Sequence, residues 1–378
     1  MKILVTGGAG FIGSHTVDLL LRKGYEVRIL DNLAPPVHAE GKIPEYVPLK
    51  HVDFIQGDVR VRGDWERALD GVDAVIHLAA YQDYLTDFSK FFHVNTVGTA
   101  LLFELIVEKR LPVRKVVFAS SQATYGEGKY YCSEDGVQYP SLRSVEQLMQ
   151  GDWEPKCPTC GKRMNLAITD EAVVKPHNQY AMSKYTQEMI ALNLGERYGI
   201  PTVGMRYSVT QGPRQSFRNA YSGICRIFTL RLMNDRQPVA YEDGLQKRDY
   251  VYVGDVARAN VQVLEDPRAD YQVFNVGGGE VATVLEYARL VAGVLGKDIE
   301  PLVPGEFRFG DTRHVVSDVS KLKALGWEPR TPLREIVEEY AAWAEAQPAV
   351  RDYYEEAEVV MKRMGTVRRT SAAPLVSI

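Results

Sequence analysis

The sequence is short of cysteine, of net charge and of long apolar runs, and each shortage excludes a class of protein. Four cysteines in 378 residues are too few for the disulfide scaffold of a small secreted domain. Lysine and arginine number 45 against 49 acidic residues, a net charge of −4, so nucleic acid is a poor expected partner. We recognise no bilayer-spanning apolar run and no charged-then-apolar leader. We therefore expect a cytoplasmic protein without a membrane partner.

The first thirteen residues contain the most informative pattern. Residues 3–5 form a short apolar run that predicts a buried strand, and Gly7, Gly10 and Gly13 follow it before an apolar-periodic helix. Glycine at such positions permits a tight turn, a close approach of the backbone to a pyrophosphate and close helix packing. The N–H groups at the helix N-terminus then face the phosphates. A glycine-rich turn without a ligand is the plainer alternative.

An acid follows at the spacing that a dinucleotide site requires. Residues 25–30 predict a second strand, and Asp31 stands at its end. A carboxylate there accepts hydrogen bonds from the ribose hydroxyls of adenosine and repels a 2′-phosphate. The sequence therefore predicts NAD rather than NADP as the cofactor.

Strand-like and helical segments alternate over residues 1–206, which predicts an α/β fold with a doubly wound parallel sheet. Further strands are predicted at 52–56, 74–78, 115–119 and 202–206, and helices at 88–109 and 180–198. Residues 127–174 interrupt this domain as an insertion. Residues 207–364 are expected to form mainly a substrate-binding lobe, with 250–276 returning to the sheet, and 365–378 a loosely attached tail.

Tyr180 and Lys184 form a Tyr-x-x-x-Lys pair. Residues four apart share a face of a helix, and a nearby ammonium lowers the pKa of a phenol, so Tyr180 can accept a proton near neutral pH. The pattern is common by chance on surface helices, but its place after the fifth strand of a dinucleotide fold favours a catalytic pair. Ser120 and Ser121 end that strand. One is expected to orient a substrate hydroxyl and the other to cap or pack.

These motifs and several others together resemble one family. In chain order they are Gly7-x-x-Gly10-x-x-Gly13, His77-Leu78-Ala79-Ala80, Ser120-Ser121-Gln122-Ala123-Thr124-Tyr125-Gly126, Tyr180-x-x-x-Lys184, Arg206-Tyr207 with Gly212-Pro213, and Arg248-Asp249-Tyr250 with Asp255-Val256-Ala257. Over residues 1 to about 345 the chain resembles the NAD-dependent nucleotide-sugar epimerase/dehydratase family, the extended short-chain dehydrogenases. The resemblance implies a Rossmann-type sheet with a smaller C-terminal lobe that binds a nucleotide-diphosphate sugar.

The resemblance also implies roles for individual residues. Ser121, Tyr180 and Lys184 match the family's catalytic Ser/Thr, base and lysine. Tyr180 and Lys184 also match positions that bind NAD, where the lysine holds the nicotinamide ribose. Arg248 and Arg308 match arginines that hold the substrate's diphosphate, a role that suits the planar guanidinium, although a surface ion pair is the plainer alternative for either. Further matching positions are, for NAD, Gly7, Gly10, Phe11, Ile12, Gly13, Asp31, Asn32, Asp58, Val59, Leu78, Ala79, Ala80 and Asn95, and, for the substrate, Ser121, Gln122 and Asn219.

The two residues after Ser121 separate the possible reactions. Dehydratases of the family carry an Asp-Glu pair there, whereas this chain has Gln122 and Ala123, which cannot transfer a proton. The pattern resembles the nucleotide-sugar 4-epimerases. Val209 replaces an asparagine of many relatives and leaves the pose of the sugar open. The alternatives are a sugar ketoreductase or dehydratase-like oxidoreductase that releases NADH, and a non-catalytic NAD sensor.

The insertion contains Cys157-Pro158-Thr159-Cys160-Gly161, which predicts a structural zinc knuckle. Cys132 lies upstream, and three thiolates would join a loop that has little core of its own. His177 or an acid such as Glu134 would complete the ligand set, and Cys225 is expected to be a packed thiol. A redox pair is the alternative. The insertion and residues 219–223 resemble those of some bacterial dTDP-L-rhamnose 4-epimerase-like proteins.

The predicted helices 88–109 and 180–198 resemble the dimer helices of the family, which form a four-helix interface. We therefore expect a symmetric homodimer. The first helix has more apolar residues than one buried face needs, including Phe91, Leu101, Leu102, Leu105 and Ile106.

Overall fold

Strands and helices alternate along the chain. The computed structural model describes residues 1–38, 40–83, 85–218, 223–348 and 350–371. The strands are β1 (Lys2–Thr6), β2 (Glu26–Asp31), β3 (Val52–Gln56), β4 (Ala74–His77), β5 (Lys115–Ser121), β6 (Tyr130–Cys132), β7 (Gly136–Gln138), β8 (Asn165–Leu166), β9 (Thr202–Tyr207), β10 (Val209–Gln211), β11 (Lys247–Tyr252), β12 (Gln272–Val276), β13 (Val281–Thr283), β14 (Glu306–Arg308) and β15 (Val367–Arg369). The helices are α1 (Phe11–Arg22), α2 (Arg62–Leu69), α3 (Phe88–Phe91), α4 (Gly98–Glu108), α5 (Val145–Met149), α6 (Gln179–Tyr198), α7 (Ile224–Met233), α8 (Val253–Glu265), α9 (Val284–Val294), α10 (Ser320–Lys323), α11 (Leu333–Glu345) and α12 (Tyr354–Arg363).

Seven strands form one parallel sheet in the order β12-β9-β5-β4-β1-β2-β3. This confirms the predicted doubly wound α/β fold. Because the strands run in one direction, their carboxyl ends lie at a single edge, and the chain order reverses between β1 and β4. Sheets of this kind bind ligands in the crevice at that edge. The residues after β1, β2, β4 and β5 therefore belong to one site.

The strands bury alternate side chains on opposite faces of the sheet. Ile3 and Val5 belong to a core that includes side chains of α1 and α8. Leu4 lies in the core of the other face, with side chains of α2, α4 and α6. Because successive residues of a strand point to opposite faces, a continuous apolar run such as that of β1 is the pattern of a strand covered on both sides.

Residues 250–276 divide between two sheets. β12 pairs with β9 at the edge of the large sheet, and α8 packs against α1. β11 instead pairs with β10 and β13 in a separate three-stranded sheet. The expectation that the whole stretch returns to the large sheet is therefore wrong for β11. The side chain of Tyr250 on β11 packs with α7, α9 and α11 in the core of the second lobe, which explains its place there.

The expected loose tail is also wrong for residues 365–371. β15 pairs with β14, and Val367 is buried beside Met361 of α12. The hydroxyls of Thr370 and Ser371 donate to the carbonyl of Met149. A free strand edge at β14 and a small apolar cluster thus fix this segment, while residues 372–378 lie outside the described part of the chain.

The helical segment Phe88–Glu108 is long and apolar enough to cross a membrane by length and composition, contrary to the expectation that no such stretch exists. In the most apolar 18-residue stretch of this segment, 44% is buried inside the fold. Phe91, Leu102, Leu105 and Ile106 are buried within the chain itself, so they are not the surplus apolar residues of an interface that the sequence suggested. They give this segment the apolar character of a core helix.

Candidate active site

The glycine-rich loop between β1 and α1 is built for close contacts. Gly7 has a φ of +68°, and a Cβ added to it would lie 2.8 Å from the backbone nitrogen of Ala79. A Cβ on Gly13 would lie 2.0 Å from the carbonyl oxygen of Gly7. Gly10 is the N-cap of α1 and offers no side-chain cap, so the N–H groups of Phe11 and Ile12 are the open donors of a helix N-terminus. Such donors bind phosphate groups.

Asp31 lies buried beside this loop. Its carboxylate accepts hydrogen bonds from the backbone N–H groups of Ala9, at 3.0 Å, and Leu33, at 2.9 Å. Burial raises the pKa of Asp31, although these two bonds and His38, 3.9 Å away, oppose the shift. A carboxylate has about four acceptor positions, so Asp31 retains capacity for ribose hydroxyls at the point where β2 ends.

Asn32 directly follows β2, and Asp58 lies just after the adjoining strand β3. The amide of Asn32 donates to Asp58 at 2.9 Å, and Arg60 holds the same carboxylate with two hydrogen bonds. Partial burial would raise the pKa of Asp58, but these bonds outweigh it and lower the pKa to about 2. Val59 is buried, and its carbonyl accepts a hydrogen bond from Trp65. Asn32, Asp58 and Arg60 thus form a hydrogen-bonded, charged cluster next to Asp31.

Asn95 joins the loop after β4 to α6. It lies in the π-helix Phe92–Val97, and its side-chain oxygen accepts from the N–H of Tyr81 at 2.8 Å. Its amide donates to the Tyr81 carbonyl, at 3.0 Å, and to the hydroxyl of Ser183, at 2.9 Å. Short π-helices frequently occur at functional sites. In the same loop the N–H of Ala79, between Leu78 and Ala80, donates to the Thr6 hydroxyl.

Tyr180 and Lys184 lie one turn apart at the start of α6, whose N-cap Asn178 accepts a hydrogen bond from Ala181. Tyr180 is half-buried, whereas Lys184 is fully buried. Burial lowers the pKa of Lys184 to about 7, against the opposing charge of Glu188. Within the described residues, Gln187 supplies the hydrogen-bond acceptor of this ammonium, at 2.6 Å. A buried ammonium has three donors, and the remaining two suit a ligand.

The two serines at the end of β5 have different environments. Ser120 is buried and donates to Glu188 at 2.8 Å, so it packs. Ser121 is half-buried, and its hydroxyl accepts from the N–H of Ala123 at 3.1 Å in a 3-10 turn, Gln122–Tyr125. α6 packs against both β5 and this turn. The side-chain oxygen of Gln122 is buried and has no hydrogen-bond partner among the described residues, which leaves it able to accept from a ligand.

A buried network behind the serines was not predicted. Arg206 forms an ion pair with Glu188 and donates to the hydroxyl of Tyr125 at 2.9 Å. Tyr125 in turn donates to Asn275 on β12. Arg206 belongs to a motif noted in the sequence, but nothing in the sequence identifies its partners 18 and 81 residues away. The network fixes the ends of β5, β9 and β12 relative to α6.

The two arginines that are predicted to bind the diphosphate lie in the second lobe, Arg248 on β11 and Arg308 on β14. Arg248 donates to the carbonyls of Thr312, at 2.6 Å, and Arg313, at 2.7 Å. Arg308 pairs with Asp311 at 2.8 Å. The third predicted substrate residue, Asn219, lies outside the described residues. Val209 begins β10.

The cysteines of the insertion converge as predicted, and the fourth group is Asp135. Donor atoms of Cys132, Cys157, Cys160 and Asp135 all lie within 4.8 Å of one another. The Asp135 carboxylate is 3.1 Å from the Cys157 thiol, and the Cys132 and Cys160 sulfurs are 3.5 Å apart.

The two suggested fourth ligands are wrong because each has another partner. His177 lies against the carbonyl of Gly310, and Glu134 pairs with Lys162. The turn after β6 places Asp135 beside the thiols instead, and Cys225 is a buried thiol of the second lobe, as expected.

A doubly wound sheet with an open glycine loop, an acid at the end of β2 and a Tyr-x-x-x-Lys helix defines a dinucleotide-binding fold of the short-chain dehydrogenase type. A model of the NAD-dependent epimerase/dehydratase family matches residues 3–145, and a GDP-mannose 4,6-dehydratase model matches residues 159–340. A dTDP-L-rhamnose 4-epimerase from Burkholderia thailandensis is 34% identical, over 90% of this chain and 94% of its own. The chain belongs to the NAD-dependent epimerase/dehydratase family.

Solved structures of similar proteins agree in fold. A UDP-glucose 4-epimerase from Thermotoga maritima, solved with UDP-glucose, is 30% identical with a TM-score of 0.73, over 91% of this chain and 99% of that one. A UDP-glucose 4-epimerase from Thermus thermophilus, solved with NAD, is 32% identical with a TM-score of 0.71, over 92% and 99%.

Proposed function

We propose that this protein is a nucleotide-sugar 4-epimerase that uses a tightly held NAD. The observation that carries this proposal is the set of side chains at the end of β5 and the start of α6. Tyr180 and the buried Lys184 share one face of α6, which packs against β5 and the turn that follows Ser121. The residues after Ser121 are the uncharged Gln122 and Ala123. Tyr180 can accept a proton here, and neither Gln122 nor Ala123 can serve as the acid for the removal of water. The 4-epimerases among its relatives support the proposal.

The residues fit NAD at each of its parts. The open N-terminus of α1 suits the pyrophosphate, and the buried Asp31 suits the adenosine ribose. Two donors of the Lys184 ammonium suit the nicotinamide ribose. A buried ammonium with a single acceptor is unfavourable, so ribose hydroxyls at this point would complete its hydrogen bonding.

The residues of the chain then have the following roles. Tyr180, as phenolate, accepts the proton of the sugar 4′-hydroxyl, and the Lys184 ammonium stabilises that phenolate. Ser121 hydrogen-bonds the same oxygen and aligns it. A bound NAD would supply the hydride acceptor and donor for C4′. Arg248 and Arg308 hold the diphosphate while the ketone turns. Tyr180 finally returns its proton to the oxygen.

The test is turnover without added cofactor. Purified protein should contain NAD and should interconvert C4 epimers of one member of a panel of dTDP- and UDP-sugars, followed by NMR. A ketoreductase would instead consume or release a stoichiometric amount of NADH, and a sensor would bind NAD without any turnover. Either result would contradict the proposal.

Cofactor preference tests the Asp31 pocket separately. The pocket should favour NAD, because a 2′-phosphate would meet the buried carboxylate of Asp31. Calorimetry on protein freed of its cofactor should show clearly weaker binding of NADP. Equal or tighter binding of NADP would contradict this assignment.

We further propose that Cys132, Asp135, Cys157 and Cys160 bind one structural zinc ion. Four ligands at about 2.3 Å from zinc in a tetrahedron place neighbouring sulfurs about 3.8 Å apart, close to the spacing observed. A redox pair would not require the third thiol or the acid. Elemental analysis should give about one zinc per chain, and chelation should lower stability. Far less zinc, with no effect of chelation, would contradict the assignment.

A further inference from the structure

The two arginines proposed for the substrate diphosphate depend on one segment, residues 306–315. Arg308 lies within it. Arg248 reaches it from β11 and donates two hydrogen bonds to the carbonyls of Thr312 and Arg313, at 2.6 and 2.7 Å. The position of both guanidinium groups is therefore set by the position of the 306–315 segment.

The insertion contacts both the backbone and the ring of His314 in this segment. The N–H of His314 donates to the hydroxyl of Tyr130 on β6 at 3.2 Å. The ring of His314 contacts the carboxylate of Glu154 at 3.1 Å. Glu154 also binds the buried guanidinium of Arg313 at 2.7 Å. Tyr130 and Glu154, which come from two separate stretches of the insertion, thus contact the adjacent residues Arg313 and His314.

Further contacts extend this attachment. Trp153 packs against Phe307, with ring centroids 6.0 Å apart. Arg143, which is buried and paired with Glu127 and Glu242, donates to the carbonyl of Asp311 at 2.8 Å. Removing one partner of such a buried ion pair strongly destabilises a folded protein, because the other charge is left buried and unpaired. The insertion therefore holds the segment at Phe307, Asp311, Arg313 and His314, in addition to the contacts of Arg313 with Glu242 and Asp243.

The metal ligands lie next to these contact residues in the chain. Cys132 is two residues after Tyr130 on β6, and Cys157 is three residues after Glu154. The cysteines lie in a buried apolar cluster of four residues, Tyr130, Cys132, Cys157 and Met164, and a second small cluster joins Leu148 and Trp153 of the insertion to Phe307. Cores of this size leave the relative position of the two chain segments to be fixed by a metal ion. An ion that joins Cys132 to Cys157 would fix Tyr130 relative to Glu154.

We propose that the cysteine–aspartate cluster is a positioning site for substrate binding. Its metal ion fixes the insertion, the insertion fixes the 306–315 segment, and that segment presents Arg248 and Arg308 to the diphosphate of the substrate. The inference rests on the proposed function for the identity of the ligand, a nucleoside diphosphate. It predicts that the metal controls affinity for the diphosphate and leaves NAD binding unchanged.

Two variants separate the metal from the link that it supports. Cys160→Ser removes the exposed thiol of the cluster, and Glu154→Gln keeps all four ligands but weakens the contacts to Arg313 and His314. Cys225→Ser, at a buried thiol of the second lobe, is the matched control. The readouts are zinc per chain by elemental analysis, bound NAD, and the dissociation constants of UDP and dTDP by calorimetry.

Cys160→Ser should lose zinc and bind the better of the two nucleotides at least about tenfold more weakly, since small displacements of positioning groups have effects up to about 10². Glu154→Gln should show the same loss with full zinc content. Both should retain wild-type NAD content, as should the control. Wild-type nucleotide affinity in either variant, or loss of NAD together with nucleotide, would overturn the inference.

This experiment does not require turnover, so it separates the inference from the proposed function. A wild-type protein that binds UDP or dTDP but epimerises no sugar would refute the epimerase and leave the positioning role to be judged by the two variants. A wild-type protein that binds neither nucleotide would overturn the inference itself.

Discussion

At the scale of single residues, the burial of Lys184 lowers the stability of the folded chain. A buried ammonium with a pKa near 7 destabilises the folded chain at neutral pH, because the same lysine titrates near 10.5 when it is exposed. Between pH 7 and 10.5 the unfolded chain binds the additional proton, so this group's contribution to stability becomes less unfavourable as the pH rises through that window. Below pH 7 both states are protonated and the full cost of burial remains.

Lys184→Met should therefore stabilise the protein freed of NAD. A pKa shift is worth about 1.4 kcal/mol per unit, and an unsatisfied Gln187 costs about 1–3 kcal/mol, so we expect a net gain of about 2 kcal/mol at pH 7. The gain should shrink as the pH approaches 10. Denaturant unfolding at pH 7 and 9.5 measures both, with Lys42→Met on the exposed surface as the control. A destabilised Lys184→Met protein at pH 7 would contradict this account.

Tyr180→Phe should remove the proton acceptor and leave the fold and the bound NAD intact. General acid–base groups contribute about 10²–10⁴-fold, so the turnover number should fall by at least about 10². Tyr198→Phe, at the exposed far end of the same helix, should retain wild-type activity. The assignment fails if Tyr180→Phe turns over at a near-normal rate with unchanged NAD content.

The sequence identified residues whose role follows from local pattern but not those whose role follows from tertiary contact. Spacing alone placed Gly7, Asp31 and Tyr180 at the sheet edge. It could not decide which serine packs, because the Ser120 bond to Glu188 joins residues 68 positions apart. Asp135 was missed for a similar reason, since a turn between two short strands, not a motif, brings it to the thiols.

At the scale of elements, the π-helix and α6 act as one unit. The π-helix directs Asn95 toward both Tyr81 and Ser183, so the loop after β4 and α6 keep a fixed spacing. These two elements also carry exposed apolar side chains. Val97 is 45% exposed, and Met182 and Met189 are 44% and 47% exposed. Met182 and Met189 are seven residues apart and share a face of α6.

This face should form the symmetric interface of a homodimer. The residues first suggested by the sequence, such as Leu102 and Leu105, serve the core of each subunit instead. Introducing charge with Val97→Glu and Met189→Glu together should convert the dimer to a monomer by light scattering, because like charges would meet in an apolar contact. Val359→Glu on α12, 66% exposed, should leave the mass unchanged. A wild-type monomer at micromolar concentration would exclude the interface.

At the scale of the whole molecule, the fold joins two lobes and an insertion around one sheet edge. The parallel sheet carries the residues that suit a dinucleotide, and its order alone predicts where they meet. The second lobe and the insertion carry Arg248, Arg308 and the cysteine cluster, and their arrangement depends on buried ion pairs that no sequence pattern reveals. Under the proposed function, the second lobe binds the diphosphate of the substrate, and the sugar reacts at the edge of the sheet.

Such an arrangement should return hydrogen to the carbon from which it was taken. If the diphosphate remains anchored while the 4-keto sugar turns, the C4′ hydrogen never exchanges with water, and only the hydroxyl proton on Tyr180 does. Turnover in deuterium oxide should therefore give product without deuterium at C4′, by NMR and mass spectrometry. Omission of added NAD should not change the rate, because the overall reaction is redox-neutral. Deuterium at C4′ would require proton removal from carbon, a route for which Gln122 and Ala123 supply no base.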